Sequence, residues 1–322
     1  MRKQTTPPES RQPNHEAQPS EAGPPDSARG HDPDSPGRRR FLTGASAGLA
    51  GMAAAGAALG GWPEGMRESE GRYAGAVVLI TGATSGIGEA AAHAYAREWA
   101  KVFFCGRREE LGESVAASIR DAGGEATYMR ADVRERDEMR DFVDACVETY
   151  GRLDIAFNNA GIEGPLGDFD AIDVTGGNGY RDVMRTNVDG VYYAMRYEIP
   201  VMREQGHGVI VNTGSMLSHT GSAHAGTYAA TKHAVIGLTR SAAAAEVGHG
   251  VRVVSLSPGA TRTELLRRFR GGSLEGADED HPMGRIAEPE DIAGVLLQIT
   301  APEATYLNGD DVKADGASAA SG

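Results

Sequence analysis

The sequence predicts an α/β fold, a doubly wound parallel sheet in a single domain preceded by a long N-terminal extension. Three observations predict it. Short apolar β-type runs alternate with longer helical runs from Ala76 onward, which is the pattern of successive βαβ units. The first run, Ala76-Val77-Val78-Leu79-Ile80, passes directly into the glycine turn Thr81-Gly82-Ala83-Thr84-Ser85-Gly86-Ile87-Gly88 and then a helical run from Glu89 to Trp99. Finally, 322 residues at 40% hydrophobic content suffice for one large domain plus a tail rather than two full domains.

The remaining elements follow in order. Lys101 to Cys105 reads as a strand, Glu109 to Ala122 as a helix, Ala126 to Ala131 as a strand, Arg134 to Tyr150 as a helix and Leu153 to Phe157 as a strand. A helix from Tyr180 to Glu204, a strand around Val209 to Val211, a helix from Thr227 to Val247 and a strand from Val251 to Ser257 complete the alternation. The segment Glu264 to His281 is polar and glycine-bearing, and reads as a mobile lid or a solvated loop.

The extension divides in two. Residues 1–37 are rich in Pro, Ser, Glu, Asp and Gly with almost no large apolar side chains, and are expected to be disordered. Residues 38–63 begin Arg38-Arg39-Arg40-Phe41-Leu42 and continue uncharged and rich in Ala and Gly. This resembles a twin-arginine (Tat-type) export signal, with Ala55-Gly56-Ala57 as a small-residue cleavage site. It implies an export machinery as partner and a periplasmic or extracellular destination; an unstructured extension on a cytoplasmic protein is the alternative. A membrane-spanning helix competes on length, but six glycines among residues 41–61 disfavour it. Thr43-Gly44-Ala45-Ser46-Ala47-Gly48 mimics a nucleotide turn, yet no strand precedes it, and it is rejected as a cofactor loop.

The net charge of −13 argues against a nucleic-acid partner. Cys105 and Cys146 each sit in apolar surroundings and read as two buried thiols rather than a disulfide or metal site. The nine histidines form no metal-ligand motif.

Chemistry enters at the carboxyl ends of the strands, where ligands of such sheets bind. In the first turn, Thr81, Gly82, Ser85, Gly86, Ile87 and Gly88 let a backbone approach a pyrophosphate at the positive end of a helix. At the second strand end, glycine is followed by Arg107 and Arg108. A carboxylate there would hold the ribose 2′-hydroxyl of NAD, whereas arginine accommodates a 2′-phosphate, so NADP is favoured over NAD. The alternative is that the two arginines begin a solvated helix face. Asp132-Val133 and Asn158-Asn159-Ala160-Gly161 occupy the next two strand ends.

In Tyr228-Ala229-Ala230-Thr231-Lys232 the tyrosine and lysine share one helical face, and Ser215 lies thirteen residues upstream at a strand end. An ammonium against a phenol favours the phenolate, so Lys232 is expected to draw the Tyr228 pKa down from about 10.

TGATSGIG, ADV, NNAG, the Ser215 segment, YAATK and Ser257-Pro258-Gly259 occur in the order and spacing of the short-chain dehydrogenase/reductase family. The resemblance covers residues 76–317. It implies a seven-stranded Rossmann-like domain, usually a homotetramer or homodimer, that moves hydride between NAD(P) and a small-molecule alcohol or ketone. It further implies that Tyr228 is the acid/base, that Lys232 tunes it and binds the nicotinamide ribose, and that Ser215 orients the substrate oxygen. Asn187 would maintain a water relay behind the lysine, Asn159 would contact the nicotinamide side, and Asp132 and Val133 the adenine. Thr261 and Thr263 would lie in the loop closing on the carboxamide. Val254, Gln298 and Thr300 depart from the family pattern and place local packing in question. His219 and His224 could meet substrate or belong to the surface. The rival reading is a catalytically silent dinucleotide-binding scaffold or sensor.

Overall fold

The computed structural model describes residues 71–320. The expected disordered tail, the twin-arginine-like segment and the rejected glycine turn at Thr43 all lie outside the described residues.

Seven parallel strands form one sheet: β1 (Val77–Thr81), β2 (Lys101–Gly106), β3 (Glu125–Arg130), β4 (Ile155–Asn158), β5 (Gly208–Thr213), β6 (Val251–Pro258) and β7 (Asp311–Ala314). Their order across the sheet is β3-β2-β1-β4-β5-β6-β7. The helices between them are α1 (Gly86–Arg97), α2 (Glu109–Asp121), α3 (Arg136–Tyr150), α4 (Tyr180–Met184), α5 (Gly190–Gln205), α6 (Gly226–Glu246), α7 (Glu264–Phe269) and α8 (Pro289–Thr300).

The central strands are buried on both faces, which is why they read as continuous apolar runs. Alternate residues serve opposite cores. Val78, Ile80, Val102 and Phe104 pack with α1, α2 and α8. Val77, Leu79, Phe103 and Cys105 pack with α3, α5 and α6. Cys105 and Cys146 are both buried and free, as expected.

Several boundaries differ from the sequence reading, each for a local reason. The glycine turn runs straight into its helix, so α1 starts at Gly86, and it stops at Arg97 because Trp99 adopts φ +65°. Helix α3 begins at Arg136 because Arg134 turns back onto Asp132. The continuous helix expected from Tyr180 to Glu204 is interrupted by a π-helical turn, Arg185–Asp189, a distortion that recurs at functional sites. Two family departures also find their explanation. Buried Thr300 Oγ1 makes hydrogen bonds with the hydroxyls of Tyr73 and Tyr95, and Gln298 Oε1 accepts from Arg72. Val254 is fully buried in the core.

The chain winds outward through β1, β2 and β3, then returns to place β4 on the other side of β1. A crevice therefore opens at the carboxyl ends of β1 and β4, where the direction reverses.

Candidate active site

The crevice is a cavity of about 640 Å³. Its first wall is the β1–α1 turn. Gly82 takes φ +71°, and a Cβ there would lie 2.7 Å from Ala160 Cα, so the turn can close against β4 only as glycine. Gly86 takes φ +62°. Ser85 is the N-cap of α1 but provides no side-chain cap, leaving first-turn amides directed at the cavity with the positive end of the helix dipole. Gly82, Ser85, Gly86 and Ile87 line the cavity. Thr81 and Gly88 lie behind it. Thr81 Oγ1 accepts from the amides of Asn159 and Ala160, and Gly88 allows close packing on Gly82 O.

The second wall is the end of β2. Gly106 supplies no carboxylate at this strand end, and a Cβ there would lie 2.5 Å from Thr84 Cγ2, so Thr84 would have to move to admit one. Arg107 and Arg108 both reach the cavity. The Arg108 guanidinium arches over the glycine turn, donating to Ser85 Oγ at 2.6 Å and Thr84 Oγ1 at 2.9 Å.

Asp132 and Val133 line the cavity after β3. The Asp132 carboxylate is committed to Arg134, 2.6 Å away. Burial works against its charge, but the Arg134 hydrogen bonds outweigh burial and hold Asp132 below the usual carboxylate range. Asn159 lines the cavity and donates its side-chain amide to Thr81 O and Gly82 O, both at 3.2 Å. Two buried hydroxyls on the wall, of Thr186 and Thr213, have no partner among the described residues, which suits an occupant bearing polar edges. No sequence signal marked either one.

Ser215 follows β5, while Tyr228 and Lys232 extend from α6; all three line the same cavity. Lys232 Nζ donates to Thr213 O at 2.7 Å and lies 5.5 Å from the Tyr228 ring centroid. The expected depression of the Tyr228 pKa is not found in this arrangement. Burial pushes the phenol up to about 12, with the Ser215 hydrogen bond pulling the other way and the Glu163 charge adding to the rise. Burial likewise draws Lys232 down to about 8. Two desolvated groups each favour the neutral form, and here that outweighs their proximity.

Asn187, placed by the π-helical turn, is 1% exposed and does not line the cavity. Its Oδ1 accepts from Ile162 N, and its Nδ2 donates to Ile162 O and Thr231 Oγ1. It therefore staples the loop after β4 to the face of α6 that carries Tyr228 and Lys232.

The loop after β6 brings Thr261 and Thr263 to the cavity. Thr263 Oγ1 accepts from Leu266 N and so caps α7. The polar segment read as a lid contains this helix, and α7 covers the site. Phe269 meets the Tyr228 ring edge-on at 5.9 Å. Arg268 pairs with Glu163 through Nε to Oε1 at 2.6 Å and Nη2 to Oε2 at 3.0 Å. Glu163, Arg268 and Phe269 went unrecognised in the sequence, although Glu163 lies just beyond the NNAG strand end.

The geometry thus combines a dinucleotide-sized crevice, an uncapped helix terminus and a Ser-Tyr-Lys cluster. A family model described as short chain dehydrogenase matches residues 76–272. Cyclohexanol dehydrogenase from Acinetobacter sp. (strain SE19) is 35% identical over 241 residues, covering 75% of this chain and 94% of its own. Among solved structures, an actinorhodin polyketide ketoreductase with NADPH aligns with a TM-score of 0.71 at 30% identity, covering 75% of this chain and 96% of that one. The 3-ketoacyl-(acyl-carrier-protein) reductase from Brucella melitensis complexed with NADH aligns with a TM-score of 0.69 at 31% identity, covering 76% and 98%. The chain belongs to the short-chain dehydrogenase family.

Proposed function

We propose that this protein interconverts an uncharged secondary alcohol and its ketone, using a nicotinamide dinucleotide with preference for NADP. The observation that carries the reading is the convergence of Ser215, Tyr228 and Lys232 in one cavity with the uncapped N-terminus of α1. When bound, the dinucleotide supplies the hydride acceptor or donor. The first turn of α1 would hold its pyrophosphate, Lys232 its nicotinamide ribose, and the otherwise unpartnered Thr186 and Thr213 hydroxyls would face it.

Within this reading Tyr228 exchanges a proton with the substrate oxygen through Oη. A phenol held near 12 is protonated at neutral pH, which suits delivery of a proton to the alkoxide formed when a ketone is reduced. Ser215 Oγ accepts from Leu217 N at 3.2 Å, leaving its own proton to orient the substrate oxygen. Asn187 holds the two sides of the site together. Leu217, Met216, Ile162 and Phe269 offer an apolar wall, which suits an uncharged substrate. Together with the relative that acts on cyclohexanol, this supports a cyclic alcohol or ketone.

Activity across a panel of cyclic and linear alcohols, assayed with NAD and NADP in parallel, tests the proposal. Absence of turnover with either dinucleotide would leave the silent-scaffold reading in place. NADP preference rests on the missing side chain at Gly106 and the guanidinium of Arg108 over the turn. Arg108→Ala is expected to lower kcat/KM for NADP about tenfold or more while altering the NAD value little, as loss of a charge-assisted phosphate contact would. Equal losses with both dinucleotides would count against a 2′-phosphate contact. Export by the Arg38–Leu42 motif belongs to the same proposal, with the dinucleotide carried inside the folded protein. Fusing residues 1–63 to a reporter that requires folded export tests it, and retention in the cytoplasm would reject it.

A further inference from the structure

Asp311 stands at the start of the edge strand β7, opposite Ser255 in the β6–β7 register. Its carboxylate is 3% exposed, yet among the described residues no lysine or arginine pairs with it. Three other donors converge on it instead. Ser255 Oγ donates to Oδ1 at 2.6 Å, Ser257 Oγ donates to Oδ1 at 2.8 Å, and His219 Nε2 meets Oδ2 at 2.7 Å.

These donors lead back to the active site by two routes. Because Ser257 spends its proton on Asp311, its oxygen is free to accept, and the backbone amide of Ser215 donates to it at 3.1 Å. His219 is the residue immediately after the 3₁₀ turn Met216–Ser218. One buried carboxylate therefore holds both ends of the five-residue segment from Ser215 to His219. Between those ends lie Met216 and Leu217 on the cavity wall. The start of the segment is held further by Ser218 Oγ, which accepts from Ser215 N at 2.9 Å.

We infer that Asp311 and His219 are positioning residues, a clamp that sets the Ser215 hydroxyl and the Met216–Leu217 wall relative to Tyr228. The inference rests on the proposed alcohol–ketone chemistry for its readout. Neither residue touches the reacting atoms; each acts through the segment it holds. The clamp lies beside β5, β6 and β7, across the sheet from the α1 turn and the β2 end that would take the pyrophosphate and the adenosine ribose. Loss of the clamp should consequently alter handling of the alcohol or ketone and spare the dinucleotide.

The conservative replacements have distinct expectations. An asparagine at 311 can still accept from both serines through its oxygen and donate to His219 Nε2, provided the imidazole takes its other tautomer. A glutamine at 219 places an amide donor as many bonds from the backbone as the imidazole Nε2. Alanine at either position removes the contact.

Steady-state kinetics at saturating dinucleotide, with melting temperatures, on Asp311→Ala, Asp311→Asn, His219→Ala, His219→Gln and Tyr228→Phe test the clamp. The alanine variants are expected to lose about tenfold in kcat/KM for the alcohol, with the dinucleotide KM unchanged. His219→Ala should show this chiefly in the alcohol KM, and Asp311→Ala in kcat as well. Asp311→Asn and His219→Gln should recover most of the loss. Alanine variants that keep kcat and the alcohol KM within about twofold of the parent, even if they melt lower, would reduce the clamp to packing and overturn the inference. Failure of both conservative variants to recover would also overturn it. Should Asp311→Ala not fold, the His219 pair decides alone, because that side chain is 30% exposed. A Tyr228→Phe variant with parental kcat would instead reject the chemistry itself, whatever the clamp variants do.

Discussion

Tyr228→Phe is expected to lower kcat about a thousandfold, the scale of a lost general acid, while leaving the fold and dinucleotide affinity intact. The substitution removes one oxygen from a ring whose packing is otherwise unchanged. The edge-on contact with Phe269 at 5.9 Å depends on the ring rather than the hydroxyl. Lys232 also keeps its hydrogen bond to Thr213 O, so the ribose end of the site should stay formed. What disappears is, among the described residues, the one phenol that lines the cavity and faces Ser215. Quenching of protein fluorescence by NADP measures the affinity, and initial rates on the best alcohol measure kcat. A variant within about tenfold of the parent would remove Tyr228 from the proton-transfer step.

Glu198→Gln is expected to stabilise the protein at pH 8 and to flatten its stability between pH 5 and 8. Glu198 lies on α5 with no exposed surface, and Asn158 Nδ2 donates to its Oε2 at 3.0 Å. The amide of Asn158 also reaches Asn212 Oδ1, and Asn212 Nδ2 reaches Thr239 Oγ1, so a polar chain runs under the sheet from α5 to α6. Glu198 Oε1 and Asn158 Oδ1 are left without partners among the described residues. Burial is the main cause that pushes the Glu198 carboxyl up from 4.5 to about 8, and the Asn158 hydrogen bond only moderates it.

The sign follows from linkage. In the folded protein Glu198 keeps its proton to about pH 8, whereas the unfolded chain releases it above 4.5. Folding is therefore favoured fully below pH 4.5, and that contribution is lost as pH rises towards 8, at about 1.4 kcal/mol per unit. A glutamine mimics the protonated carboxyl and carries no proton to lose. The gap in stability between variant and parent should thus be small at pH 5 and reach roughly 3–5 kcal/mol at pH 8. Urea melts at the two pH values measure it. A parent and variant with parallel pH dependence would show that Glu198 does not titrate in this window.

The two cases differ in how far they could be read beforehand. The four-residue spacing of Tyr228 and Lys232 is local, so their common face was apparent from helical geometry alone. The pKa of the phenol was not, because desolvation depends on what the rest of the chain packs over it. Here Phe269 of α7 and the Glu163 charge both act on Tyr228 from remote parts of the sequence. Asn187 shows the same limit. Its side-chain bonds to Ile162 and Thr231 join segments remote in sequence, which the π-helical turn brings together.

The sequence by itself determined the alternation of strands and helices as far as β6, the glycine turn at the first strand end and the common helical face of Tyr228 and Lys232. Strand and helix periodicities, and the steric needs of a βα turn, are properties of neighbouring residues. The tertiary structure alone decided the Glu163–Arg268 pair, the burial that raises the Glu198 pKa and the contacts that hold Ser215. Asp311 and His219 are 92 positions apart, and Glu163 and Arg268 are 105 apart. No spacing rule joins such residues: Asp311 stands at the amino end of β7, level with Ser255 inside β6, where His219 from beyond β5 reaches it, whereas Glu163 and Arg268 meet because the loops beyond β4 and β6 leave the same side of the sheet.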